Sequence, residues 1–441
     1  MQFKKFIGSI REYKKSSFLS MILITGEVSM EVALPFLMSL LVDIGLGQQN
    51  LGFVFKIGGG MVLVAMASLI FGVQSGRHAA IASSGFAKNL RKDIYYNIQK
   101  FSFTNIDKFS TPSLITRLTT DITNVQNAYQ MIIRTAIRAP LMLIFSTIMA
   151  MLLNWRLALV FLVSVPLLGG ILFLIVMKAH PIFVKVFKQY DKLNSIVQEN
   201  INGIRTVKSY VREDYEIEKF HGISKQVLFY FKKAEKILAF NSPAMQFFMF
   251  TSILVTQFLG ARMIVLQTMT TGELMSLVMY LVQSLSALML LSMVFVMIII
   301  AQSSAERIVE VLDETSSMQN PESPVTTVEN GAVVFENVGF RYHGGSEKEI
   351  LKNVSFAIQS GQTVGILGGT GSAKSTLVQL IPRLYDVTSG QVKVGGLDVR
   401  SYDIEALRDA VSMVLQKMFC SRAALKTTFA GATKMPPRRK W

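Results

Sequence analysis

The sixteen residues GILGGTGSAKSTLVQL, at positions 365–380, carry the plainest chemical purpose in the chain. Gly368, Gly369 and Gly371 leave backbone N–H groups free to converge on one anion. Lys374 adds an ammonium that can reach terminal phosphates, and Ser375 a hydroxyl that can face Mg²⁺. A loop of this kind at a helix N-terminus is a positive cradle for phosphate oxygens. Its usual spacing is G-x-x-x-x-G-K-[ST], and here it runs Gly368, four residues, Ala373, Lys374, Ser375. The last glycine is an alanine. Its methyl is expected to crowd the phosphates or resist a positive φ, lowering affinity. The candidate nucleotide-binding set is therefore Gly368, Gly369, Thr370, Gly371, Ser372, Ala373, Lys374, Ser375 and Thr376, with ATP and Mg²⁺ as ligands.

Such a loop needs a strand before it and a helix after it. TVGIL supplies the first by pattern and STLVQLIPRLY the second. Around them VVFENVGFRY, VSFAI, QVKVGG and AVSMVL read as further short strands between turn residues. Strand, glycine loop and helix open an α/β nucleotide-binding domain. Upstream, AQSSAERIVEVLDETSSMQNPESPVTT starts helical and turns polar with two prolines, as a linker does.

The rest of the chain is of another character. Of 441 residues, 51% are hydrophobic and 17% charged, and the mean hydropathy is +0.41, which points to a membrane protein. Apolar segments near 18–46, 52–76, 130–153, 157–178, 243–267 and 273–300 are each long enough to cross a bilayer. The net charge of +16 sits mainly between them. Arg77, Lys88, Arg91, Lys92, Lys100, Lys108 and Arg117 lie between the second and third, and twelve cations lie from Lys178 to Lys236. The positive-inside rule puts both long loops and both termini in the cytoplasm. That distribution does not suit a nucleic-acid groove, so no nucleic-acid partner is expected. One cysteine excludes an intramolecular disulfide framework.

The long loops are helical in pattern, so the spans are expected to continue beyond the membrane. Residues 1–15 read as an interfacial helix, with Phe3, Phe6, Ile7 and Ile10 on one face. Glu27 and Glu31 share a helix face at membrane depth, which predicts a hydrated cavity wall or, alternatively, a cation-substrate site. Arg134 and Arg138 are expected to snorkel to the inner interface.

Residues 1–417 resemble an ATP-binding cassette (ABC) exporter half-transporter of the multidrug and lipid type. FTNIDKFSTPSLITRLTTDITNVQ resembles that family's first intracellular loop, and VQENINGIRTVKSYVREDYEIEKF its second. TTGELMSLVMYL and AQSSAERIVEVLDE resemble the entry and exit of the sixth span. VVFENVGFRYHGG and ILKNVSFAIQSGQTVGILGGTGSAKST resemble the cassette itself. The resemblance implies a type I exporter-like α-helical membrane domain of six transmembrane helices, then the N-terminal part of an α/β phosphate-loop domain. The expected boundaries are an elbow helix at 1–15, the membrane domain at 16–305, a linker at 306–330 and a partial ATPase domain at 331–417.

The resemblance also implies that Tyr342 stacks on adenine and that Gln416 senses Mg²⁺ and the γ-phosphate, beside Ser375 on the metal. A second half-transporter, identical or different, would complete a homo- or heterodimer in the plasma membrane, surrounded by lipid and moving an unidentified substrate. Coupling between cassette and spans would run through helices near 105–118 and 202–213.

The family's remaining machinery is not found in these 441 residues: no LSGGQ-type signature loop, no second strand ending in an aspartate and a glutamate, no later histidine. His78, His180, His221 and His343 all precede the phosphate loop, so no catalytic residue is assigned. After Lys417 the texture changes to KMFCSRAALKTTFAGATKMPPRRKW. Restoring one adenine after Gln416 permits a frame resembling the family's continuation. Residues 418–441 are accordingly expected to be an out-of-frame tail, the alternative being a basic tail that meets anionic lipid through Arg438, Arg439 and Lys440. The two functional expectations are a subunit of an ATP-driven exporter and a catalytically inert, truncated membrane protein.

Overall fold

The computed structural model describes Phe6, residues 8–342 and residues 349–414. It divides into two compact units, one of residues 1–94 with 116–310, the other of 95–115 with 311–441. Residues 1–5 and Ile7 of the expected interfacial helix, and all of the expected tail, lie outside the described residues; the described part of the former turns through a 3-10 helix at Arg11–Tyr13 and runs on into the first long helix.

Long apolar helices build the first unit. Helix α1 (Lys14–Leu40) runs into a π turn at Leu41–Leu46, and α2 (Leu51–Ile98) follows. At about 1.5 Å per residue the 48 residues of α2 extend roughly 70 Å, more than twice a hydrocarbon layer, so the spans do continue past the membrane. The loop after α2 carries α3 (Phe103–Phe109) and α4 (Thr111–Thr116), and α5 (Ile122–Ile133) and α6 (Thr135–Leu153) follow. Then come α7 (Trp155–Asn202), α8 (Ile204–Ser209), α9 (Glu213–Leu238), α10 (Asn241–Val265) and α11 (Thr271–Asp313). Asn154 begins α7 firmly, its side chain accepting from the N–H groups of Arg156 and Leu157. Among the described residues, six helical stretches are long and apolar enough to cross a membrane.

The core of this unit is Val28 and Val32 of α1 against Leu157, Phe161 and Leu168 of α7 and Leu277, Tyr280 and Leu281 of α11. Lipid tails are as apolar as these side chains, so short polar bonds help to fix which helices meet. Tyr280 Oη donates to the Val32 carbonyl at 2.8 Å, Ser146 and Ser284 share a hydrogen bond at 2.7 Å, and Ser276 bonds the Pro35 carbonyl.

Two of the charges at membrane depth, Arg138 and Glu27, behave differently from expectation. Arg138 does not snorkel: its guanidinium bonds Glu27, and also Glu31 at 2.7 Å, clamping α6 to α1. Glu27 is 8% exposed, which places it in packed protein rather than on a wetted wall. Gly72 makes room for it, since a Cβ there would stand 3.0 Å from the Glu27 carboxyl carbon. The reason is energetic: a carboxylate at this depth needs a cation beside it, and α6 brings one within reach.

The second unit holds a small sheet in the order β2-β1-β3-β4, with every pair antiparallel: β1 (Val333–Phe340), β2 (Leu351–Ile358), β3 (Ser389–Val394) and β4 (Leu397–Asp398). A bulge in β1 between Phe335 and Val338 breaks strict alternation, so that Phe335, Val338 and Phe340 all enter a core with Leu380, Tyr385, Val392, Val394, Tyr402 and Leu407. Phe335 stacks on its register partner Phe356 at 4.5 Å between centroids. Helix α12 (Lys374–Gln379) follows the phosphate loop, and α13 (Ile404–Ala410) is capped by Asp403.

Three expectations fail here. Thr363–Leu367 forms no strand, and Val364, Ile366 and Leu367 are exposed. A strand exists only as a member of a ladder, and none of the four described strands pairs with this run. Residues 410–414, the described part of AVSMVL, are likewise not a strand: Ala410 ends a helix and 411–414 are irregular. Helix α12 also stops at Gln379, well before Tyr385. Pro382 lacks an N–H and drives the preceding residue out of helical geometry, and Arg383 turns at φ +49°.

Residues 95–115, which include α3, belong to this second unit. Ser102 and Asn105 make a reciprocal capping box at the start of α3. The buried Asn105 then donates to Glu314 at 2.7 Å and to the Thr315 carbonyl at 3.1 Å, and accepts from the Ser317 N–H at 3.1 Å. Lys108 bonds the other Glu314 oxygen at 2.7 Å. That bond, with help from Asn105 and against partial burial, holds the Glu314 carboxyl below the usual carboxylate range.

Candidate nucleotide site

The phosphate loop leaves β2 through an exposed stretch and returns into α12. Gly371 sits at φ +85°, in the region that disfavours side chains, so a glycine is needed there. Ala373 also adopts a left-handed conformation, φ +61° and ψ +19°, as the N-cap of α12, and its carbonyl accepts from the Leu377 N–H at 3.0 Å. The conformation that the alanine was expected to resist is thus the one it holds. Its methyl packs against the apolar core rather than standing free in the loop.

Lys374 is folded back over the loop. Its ammonium donates to the carbonyls of Gly368 and Gly369, both at 2.8 Å, and to Ser372 Oγ at 3.2 Å. The cation therefore already lies over the concavity that phosphate oxygens would fill. Exposed glycine backbone, a central ammonium and the exposed Ser375 hydroxyl suit a nucleotide triphosphate. No cluster of three or more His, Cys, Asp or Glu side chains able to hold a metal occurs among the described residues. Mg²⁺ commonly takes one or two protein oxygens with substrate phosphates and water, so Ser375 suits an ion carried in with ATP.

Tyr342 lies just beyond β1 and is half-buried. Its hydroxyl contacts Thr376 Oγ1 at 3.1 Å and donates to Gln379 Oε1 at 3.3 Å, so Thr376 is the donor in the first contact. The sequence placed Tyr342 and the loop in one site, and the fold brings them together. Gln416 lies outside the described residues.

What the sequence reading missed is Tyr385. Its ring meets those of Tyr342 at 5.1 Å, Phe340 at 5.7 Å and Phe103 at 5.9 Å, and its hydroxyl donates to Asp107 Oδ2 at 2.8 Å. Burial pushes the Tyr385 phenol up, and the neighbouring Asp107 carboxylate adds to the shift. Asp107 and Tyr385 are 278 residues apart, and no local pattern pairs them.

Six apolar helical stretches joined to a phosphate-loop domain define an ATP-dependent membrane transporter. Residues 17–289 match the ABC transporter transmembrane region, and residues 351–431 match the ABC transporter domain. The chain belongs to the ABC transporter family, as an exporter half-transporter. It is 31% identical over 427 residues to the uncharacterized ABC transporter ATP-binding protein YfiB of Bacillus subtilis (strain 168), covering 97% of this chain and 74% of that protein. Identity to YknU of the same organism, another uncharacterized ABC transporter ATP-binding protein, is 28%, over 94% of this chain and 70% of the relative. A fatty acid ABC transporter ATP-binding/permease protein of Mycobacterium bovis is 28% identical over 74% of this chain and 51% of its own length.

Proposed function

We propose that the chain is one subunit of a two-chain, ATP-driven exporter in the cell membrane, with both termini cytoplasmic, moving a solute, drug or lipid outward. The observation that carries this is the Lys374 ammonium held in a glycine loop by three oxygens, within a chain that also supplies six spans. On ATP binding, the ammonium exchanges the Gly368 and Gly369 carbonyls for phosphate oxygens, and the backbone N–H groups of residues 369–373 orient them. Tyr342 lies against the base. Mg²⁺, held by Ser375 and by Gln416, would neutralise charge on the phosphates. A second half-transporter, of the same or a different kind, completes the pair.

An apolar groove of about 520 Å³ in the membrane unit, lined by Gly169, Leu172, Phe173, Leu288, Phe295 and Ile299, suits the apolar body of a substrate. The resemblance to a relative named for fatty acid supports that choice.

A second reading has its own support: a membrane protein that binds nucleotide weakly and hydrolyses none. Val364 is 50% and Leu367 96% exposed, so the run that should brace the loop from behind is unsupported in this fold. Within these 441 residues no carboxylate is assigned to activate water.

Photolabelling of the purified protein with an azido-ATP separates the two. The first reading expects labelling that Mg-ATP displaces and that Lys374→Ala abolishes. Labelling that Lys374→Ala leaves intact would overturn it. Phosphate release that vanadate inhibits, from the purified chain alone, would dismiss the inert reading.

A further inference from the structure

The start of α11 is bonded twice over. Its own residues make a reciprocal box: the Glu273 N–H donates to Thr270 Oγ1 at 3.2 Å, and the Thr270 N–H donates to Glu273 Oε2 at 3.0 Å. A second set comes from the far end of α1. The Gly272 N–H donates to Asp43 Oδ1 at 2.8 Å, and the Thr270 hydroxyl donates to Asp43 Oδ2 at 2.6 Å. Both oxygens of one carboxylate thus grip one helix terminus, whose unpaired N–H groups favour negative charge. We propose that Asp43 is a latch that holds α1 to α11 and keeps the outer end of the membrane unit shut. This rests on the reading that both termini are cytoplasmic, which puts the loops after α1 and α10 outside.

The helix has a cap without Asp43, so the aspartate serves the join between two helices rather than the end of one. Gly272 is what lets them meet. A Cβ there would stand 2.5 Å from the Ser39 carbonyl oxygen and 2.6 Å from Asp43 Oδ2. Parting from Asp43 leaves the Thr270–Glu273 box intact, so α11 keeps its first turn whether the latch is made or broken.

The end of α1 is also free to move once released. A helix bends where its ladder of backbone bonds is interrupted. Pro35 lacks the N–H that would bond one turn back, and Asp43 itself lies in the π turn Leu41–Leu46. On the N-terminal side of Pro35, α1 is fixed: Arg138 of α6 clamps Glu27 and Glu31, and Tyr280 of α11 donates to the Val32 carbonyl at 2.8 Å. Ser276 bonds the Pro35 carbonyl at the bend. Beyond it, among the described residues, the side-chain hydrogen bonds that join α1 and its π turn to the start of α11 are the two of Asp43. Residues 36–46 can therefore swing as one piece about Pro35, and the carboxylate decides whether they do.

The test uses the full 441-residue chain in lipid nanodiscs, with its one cysteine removed as Cys420→Ser. Spin labels go on Gln49→Cys and Gln267→Cys, exposed positions in the loops after α1 and α10, and double electron–electron resonance reads the distance between them. Asp43→Ala should add a longer population, with the closed-to-open ratio falling about tenfold, the scale of one hydrogen bond to a charged group. Gly272→Ala should open the pair as well, because its methyl meets the Ser39 carbonyl. Asp43→Asn keeps an oxygen for the Gly272 N–H and should stay near the parent. Glu273→Ala weakens the helix's own cap and leaves both Asp43 bonds in place, so it should lower the melting temperature without lengthening the distance. An unchanged distance in Asp43→Ala would overturn the latch and leave Asp43 a plain helix cap. Opening by Glu273→Ala as large as by Asp43→Ala would overturn it too, since fraying of α11 would then explain both. A maleimide that cannot cross membranes, applied to intact cells, should label Gln49→Cys. Absence of labelling defeats the orientation reading, and the latch falls with it; labelling with unchanged distances defeats the latch alone.

Discussion

Replacing Ala373 by glycine asks whether the alanine limits nucleotide capture. The residue sits at φ +61° and ψ +19°, where a Cβ presses on the following carbonyl and costs roughly 1–2 kcal/mol that glycine does not incur. Against this, the half-buried methyl contributes about 0.4 kcal/mol of core contact, half the value of a fully buried carbon. The difference, about 1 kcal/mol, favours the binding-competent loop over its alternatives by roughly fivefold, and apparent affinity follows that population. Ala373→Gly should therefore tighten trinitrophenyl-ATP binding about three- to tenfold. Stability should hardly change, because glycine adds about 0.5–1 kcal/mol of backbone entropy to the unfolded chain and so offsets the relief. The expected shift in melting temperature is under about 2 °C. An unchanged or weaker affinity would refute the reasoning, since it would show that the methyl's packing, and not its strain, governs the loop.

Other consequences follow from the ion pairs and the loop anchor. Arg138→Met leaves Glu27 and Glu31 without their cation and should destabilise the detergent-solubilised protein by about 3–5 kcal/mol, the range for a broken buried pair. Adding Glu27→Gln and Glu31→Gln to that variant should restore most of the melting temperature, and failure to do so would show that Arg138 acts through packing alone. Gly72→Ala should disturb the same clamp, because the new methyl meets the Glu27 carboxyl; a melting temperature equal to the parent's would contradict this. Asn105→Ala removes bonds to Glu314, Thr315 and Ser317 together, and should expose residues 311–317 to faster amide exchange. Glu314 titrates below its ordinary value in the folded chain, so its contribution is present above the unfolded carboxylate range near pH 4.3 and is lost as pH falls through the folded value. Acidification below about pH 4.3 should thus raise exchange at residues 311–317, and Lys108→Ala should move that onset to higher pH.

The sequence by itself determined the covalent order of the parts and the chemistry of the loop. Six apolar runs dictate six spans because an unpaired backbone cannot exist in hydrocarbon, and a helix satisfies itself locally. The glycines and Lys374 dictate a phosphate cradle because their roles depend on backbone freedom and charge within a few neighbouring residues. Local patterning also set β1, β2 and β3, where β-rich runs lie between turn residues. Tertiary structure decided whatever needs a distant partner. TVGIL has the composition of a strand, but a strand needs a ladder, and that run finds none in the described sheet. Arg138 looked free to snorkel until α1 brought Glu27 and Glu31 beside it, 111 and 107 residues away. Tyr385 stood only at the end of the run STLVQLIPRLY until the fold set Asp107 against its hydroxyl. Such pairings are made by packing between elements far apart in the chain, and nothing in local residue preference records them.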